Sequence, residues 1–89
     1  YSWNPEIAKE IAKKENIDLT EDHWIIIYFV RNFYLTFNIT PSMRILISNI
    51  QKKIKPKTNI SIYLFKLFPK GPAKQASKIA GIPKPTKCL

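Results

Sequence analysis

The chain of 89 residues has one cysteine, Cys88, and one histidine, His23. A single thiol closes no internal disulfide, so nothing staples the fold, and a reducing cytosol is its natural setting. One imidazole and one distant thiol do not make a metal site. The only glycines are Gly71 and Gly81, which excludes a glycine-rich phosphate loop and leaves both for a turn and a helix cap. No cofactor is expected. The longest apolar run, Trp24 to Val30, covers seven residues, against about 20 needed to cross a bilayer. A basic leader with an apolar stretch and small-residue cleavage site is also missing, so no membrane partner is expected. The first residue is Tyr1 rather than methionine, and residues ahead of it are expected.

Beyond residue 22 there is no acid. Glu6, Glu10, Glu15, Asp18, Glu21 and Asp22 face only Lys9, Lys13 and Lys14, leaving that segment at −3; the twelve Lys and Arg that follow give +12, recovering the net +9. Such a block steers anionic partners, nucleic acid foremost. An enrichment in Ile, Lys and Asn across the whole chain accounts for the same lysines without a function. Hydrophobic residues at 45% and aromatics at 12% suffice for one small core, so disorder of the whole chain is excluded.

The expected fold class is all-α: a compact bundle of about five short helices. Asn4-Pro5-Glu6 is a helix start, with a cap, proline at the first helical position and an acid in the first turn. Ile7, Ala8, Ile11 and Ala12 form its buried stripe, and Asn16 stops it. Thr20 caps a second helix of about seventeen residues through Phe37. Apolar residues surround it almost completely, which predicts the most buried element. Thr40-Pro41 opens a third helix reaching Ile54, ended by Lys55-Pro56. Asn59 or Ser61 opens a fourth through Phe68, and Pro72 a fifth through Ala80 with Gly81 at its C-terminal cap. All six acids are expected on surface faces. Residues 1–81 form the helical domain, and residues 82–89 form a C-terminal arm.

That arm carries the one candidate for chemistry. Two prolines and two lysines hold Ile82 to Lys87 out of any helix, so Cys88 is read as an exposed thiol and not as a core residue. A free thiol is only a few per cent ionised at neutral pH. Lys84 and Lys87 favour the thiolate, while the terminal carboxylate of Leu89 opposes it. His23 is read as a helix-start or core-edge residue. As a general base for Cys88 it would need the arm to fold back.

The strings Phe68-Pro69-Lys70-Gly71-Pro72-Ala73-Lys74-Gln75-Ala76 and Lys78-Ile79-Ala80-Gly81-Ile82-Pro83-Lys84-Pro85-Thr86, followed by Cys88, resemble the DsrC/TusE family. Leu19-Thr20-Glu21, His23-Trp24, Arg31-Asn32-Phe33-Tyr34 and Pro41-Ser42-Met43-Arg44 resemble it too. The match runs from Trp3 to Leu89; a short N-terminal segment of the family is absent. Family members serving dissimilatory sulfite reductase have a second cysteine eleven positions before the penultimate one, where this chain has Ser77. The resemblance therefore implies the TusE-type branch, a sulfur relay. Cys88 would take persulfide sulfur from the TusBCD complex and pass it to the tRNA 2-thiouridylase for wobble-uridine thiolation. Such a carrier is a sulfurtransferase component in the cytoplasm and not a self-sufficient enzyme. The family pattern also implies that Arg44 contacts the arm or its terminal carboxylate, beside the plainer reading of a solvated helix residue. Lys87 stands where the family usually has glycine.

Three other readings compete. Short helices and a basic block fit a helix-turn-helix-like module that binds nucleic acid, and direct or indirect tRNA contact is compatible with a relay as well. A partner of a sulfite reductase is the DsrC-like alternative. A docking protein would need no Cys88 at all.

Overall fold

The structure is a computed structural model that describes residues 3–83. Five α-helices and no strand occur among the described residues, in agreement with the all-α expectation: α1 (Pro5–Lys14), α2 (Glu21–Phe37), α3 (Met43–Ile50), α4 (Ile60–Leu67) and α5 (Pro72–Ile79).

The starts follow local chemistry. Asn4 accepts from the Ile7 amide at 3.0 Å and Pro5 occupies the first helical position of α1. Ala8 and Ala12 are buried beneath it. Asn16 stops the helix in the left-handed region at φ 59°, which asparagine tolerates better than most residues. Thr20 precedes α2, where the Thr20 amide donates to Nδ1 of His23 at 3.1 Å. The ring proton is therefore on Nε2, which donates to the Leu67 carbonyl at 2.8 Å. His23 is buried, lies edge-on against Phe68 at 5.0 Å, and joins the start of α2 to the end of α4. Both ring nitrogens are occupied, so it is a structural histidine.

α3 differs from expectation at both ends. Its cap is Ser42, which accepts from the Ile45 amide at 3.4 Å, and Pro41 lies buried ahead of it. Thr40 is not the cap because its hydroxyl is committed elsewhere. The helix stops at Ile50, and Gln51–Lys53 form a turn that returns the buried Ile54 onto the Ile50 carbonyl at 2.8 Å. The Lys52 and Lys53 amides bond three residues back, to the Asn49 and Ile50 carbonyls at 3.3 and 2.9 Å, so the continuous helical pattern of bonds four residues back is lost well before Pro56.

Burial also departs from the hydropathy reading. The hub is α5, which packs on α1, α2, α3 and α4, while α2 is covered only over His23, Ile26, Ile27 and Val30. Tyr28, Leu35 and Phe37 are exposed, Leu35 by 67%. The reason lies in side-chain size. α5 presents Ala73, Ala76 and Ser77 to its neighbours, and small residues let four helices approach one axis. The bulky, all-round apolar α2 cannot be surrounded by so few partners. Ser77 is fully buried, and its hydroxyl donates to the Ala73 carbonyl at 2.6 Å.

Two acids are not free surface groups. Glu15 is half-buried; it accepts from Gln75 and from Lys78, each at 3.2 Å. The Gln75 hydrogen bond, then that of Lys78, holds its carboxyl below the usual carboxylate range. Asp22 accepts the Tyr63 hydroxyl, which raises the phenol above its ordinary value.

Candidate functional site: the anchored root of the C-terminal arm

An α-helix ends with carbonyls that lack partners within the helix. At the end of α5 they are met from several distant parts of the chain. The Ser77 carbonyl accepts from the Ile82 amide at 3.0 Å, and the Lys78 carbonyl from Gly81 at 3.2 Å. The indole Nε1 of Trp3 donates to the Ile79 carbonyl, and Arg31 Nη1 to that of Ala80, each at 2.8 Å. The Arg31 guanidinium also lies 4.4 Å from the Trp3 ring centroid. A cation there complements the negative end of the α5 dipole.

Gly81 takes the turn at φ +72°, and a Cβ at that position would stand 2.5 Å from Cδ1 of Trp3. Glycine is thus required twice, for its conformation and for the closeness of the indole. One residue on, Ile82 is half-buried against the core. Thr40 then donates its hydroxyl to the Pro83 carbonyl at 2.7 Å. Backbone, indole, guanidinium and hydroxyl together fix where the chain leaves the body.

Beside this root lies a depression of about 670 Å³, lined by Glu15, Lys70, Lys74, Lys78, Ile82 and Pro83 among others. Lys74 and Lys78 are the only exposed residues of α5. The root is therefore basic on one side.

Of the site residues expected from sequence, Cys88, Lys84 and Lys87 lie outside the described residues, as does most of the arm 82–89. Arg44 is exposed on α3, and among the described residues it forms no ion pair. The residues that hold the root are Trp3, Arg31 and Thr40; the sequence places none of them at the arm, and Thr40 reads instead as the start of α3. Arg31 had a visible signal, as the one charge within the apolar run of α2. Trp3 and Thr40 had none, since their partners are 76 and 43 positions away.

The described residues thus form a small helical body that holds the backbone at residues 81–83, ahead of a segment whose sequence ends in Cys88-Leu89. Comparison with known proteins identifies the group. A family model described as "DsrC like protein" matches residues 1–89, and the chain belongs to the DsrC-like family. Sulfurtransferase TusE of Buchnera aphidicola subsp. Acyrthosiphon pisum is 71% identical over 87 residues, covering 98% of this chain and 76% of the relative. Sulfurtransferase TusE of Pectobacterium atrosepticum is 51% identical over 88 residues, with 99% and 81% covered. Among solved structures, the NMR structure of Allochromatium vinosum DsrC superimposes with a TM-score of 0.86 at 46% identity, covering 99% of this chain and 79% of that one. The oxidized gamma-subunit of the dissimilatory sulfite reductase (DsrC) from Archaeoglobus fulgidus gives 0.84 at 41%, with 99% and 81% covered.

Proposed function

We propose that the protein is a sulfur-relay carrier whose working atom is the Cys88 sulfur. The observation that carries this reading is the extensive identity to proteins named Sulfurtransferase TusE, joined to a sequence whose sole thiol is at the tip of the tail. The Cys88 thiolate attacks the outer, sulfane sulfur of a donor persulfide. A new S–S bond forms on Cys88, the donor S–S bond breaks, and the donor leaves as its thiolate. No net oxidation occurs, because one persulfide replaces another. The reverse polarity serves delivery, where an acceptor nucleophile attacks the sulfane sulfur and Cys88 departs as thiolate.

The finer assignment is TusBCD as donor and the tRNA 2-thiouridylase as acceptor, in the cytoplasm, with sulfur destined for the wobble uridine. Lys84 and Lys87 favour the thiolate by charge, and Arg44 remains an exposed cation available to the arm or its terminal carboxylate. Residues 1–81 serve as the body and 82–89 as the arm. Service to a sulfite reductase fits less well. In the family that role goes with a second cysteine, and this chain has the buried Ser77 at that position.

Intact-mass spectrometry after incubation with a persulfide donor tests the reading. Wild type gains an adduct of about 32 Da that a reductant removes, while Cys88→Ser gains none and keeps its helical circular dichroism. Equal labelling of the variant, or none of wild type, ends the proposal.

A further inference from the structure

A second surface, which meets the arm root where Tyr28 lies edge-on to Trp3 at 5.9 Å, is unexplained by a thiol carrier. Along the outer side of α2 runs a trough of about 710 Å³ floored by aromatic rings, including Trp24, Tyr28, Phe29, Phe33 and Phe37. The rings are ordered in two ladders. Trp24 and Tyr28 stack at 5.8 Å, and Phe29, Phe33 and Phe37 follow one another at 5.9 and 4.7 Å. Phe37 is 59% and Tyr28 41% exposed. At one end the trough meets Lys53, whose ammonium lies 5.8 Å from the Phe29 ring. Lys53 also lines an adjoining depression of about 510 Å³ with Lys55, Lys57 and Lys66. Aromatic trough and lysine cluster are thus one continuous surface joined at Lys53.

We infer that this surface binds single-stranded RNA, with unpaired bases on the α2 rings and phosphates on the lysines. Exposed rings beside a basic groove are what an unpaired strand requires, since every base has a face to stack and every nucleotide a charge to neutralise. The charge pattern favours RNA over an acidic protein segment. Four lysines converge on one depression, against Asp22 in the same depression and Glu21 in the trough, so the joined surface keeps a net positive charge. The lysines beside the arm root make a useful contrast. Lys70, Lys74 and Lys78 line a depression that contains Glu15 and no aromatic residue. That region offers a base nothing to stack on. The inference rests on α2, the 52–57 loop and Lys66 of α4, and stands whether or not Cys88 carries sulfur.

Fluorescence anisotropy with a labelled, unstructured RNA of about 15 nucleotides tests it. Wild type and Cys88→Ser bind alike, and affinity falls about 20–50-fold between roughly 50 and 200 mM salt if three or four phosphates are contacted. At about 0.15 M salt, where charges more than about 8 Å apart are screened, the pair Lys53→Glu/Lys55→Glu loses at least about ten-fold. The equally charged pair Lys74→Glu/Lys78→Glu stays within about two-fold. Phe37→Ala, an exposed site whose truncation spares the core, loses about five-fold or more. A duplex of the same sequence binds more weakly than the single strand. Absence of saturable binding overturns the inference, as does equal loss in both lysine pairs, or equal affinity for duplex. Binding of an acidic, apolar helical peptide without RNA binding also overturns it and reassigns the surface to protein docking.

Discussion

α5 and α2 reverse the order that hydropathy gives them. α5 reads Pro-Ala-Lys-Gln-Ala-Ser-Lys-Ile and has six of its eight residues buried. α2 is far richer in Ile and aromatic side chains, yet buries four of seventeen. Burial of a helix depends on how many neighbours can reach it, and small side chains decide that. Apolar bulk without neighbours becomes surface, and a large apolar surface on a small domain usually means a partner.

The sharpest way to break this contrast is a matched pair of truncations. Ile79→Ala, at a fully buried position of α5, should cost about 2–5 kcal/mol in chemical denaturation. If it costs less than about 1 kcal/mol, α5 is not the hub. Next comes the end of that helix. Gly81→Ala forces a side chain into the left-handed region, about 1–2 kcal/mol by itself, and into the Trp3 ring. We expect a total near 2–3 kcal/mol and a shift in tryptophan fluorescence. Arg31→Met keeps the bulk but leaves the Ala80 carbonyl without its charged donor, at about 2 kcal/mol. The same variant should slow persulfide delivery to a partner enzyme while leaving mass labelling by a small persulfide unchanged.

A smaller effect is expected at Glu15. Its folded-state pKa is depressed by Gln75 and Lys78. Its stabilising contribution is therefore complete above the ordinary carboxylate pKa and is lost as pH falls through the depressed folded value. Glu15→Gln should flatten the acid limb of the stability profile and leave its alkaline limb in place. Smallest of all is the other half of the matched pair. Leu35→Ala on exposed α2 should stay within about 0.5 kcal/mol, and a larger loss would mean that α2 is covered in solution.

What could be read from sequence was chiefly local. Asn4-Pro5, Thr20, Asn59 and Gly81 act within a few residues, and each set a helix end as expected. The family resemblance was equally local, residing in short contiguous strings, the longest of them between Phe68 and Thr86 and others at Leu19 to Trp24, Arg31 to Tyr34 and Pro41 to Arg44. Where non-local geometry decides, reading failed. Thr40 looked like a cap until its hydroxyl was seen on Pro83, and the aromatic run of α2 looked like a core. Glu15 and Asp22 are acids by type but partners of Gln75, Lys78 and Tyr63 by position. The arm root could not be assembled at all, because Trp3, Arg31 and Thr40 reach it from three separate segments.

The hydrogen bond from Thr40 to Pro83 also sets a radius of action. From Ile82, six residues lead to Cys88, a reach of about 19 Å at ~3.1 Å per residue. With the Pro83 carbonyl pinned, five residues remain to Cys88, and a fully extended chain of that length spans at most about 17 Å. In the relay proposed above, a donor or acceptor would meet the Cys88 sulfur within about that distance of Pro83. Docking of the helical body would then be a requirement of transfer, and the length of the tail would limit which docked orientations can react.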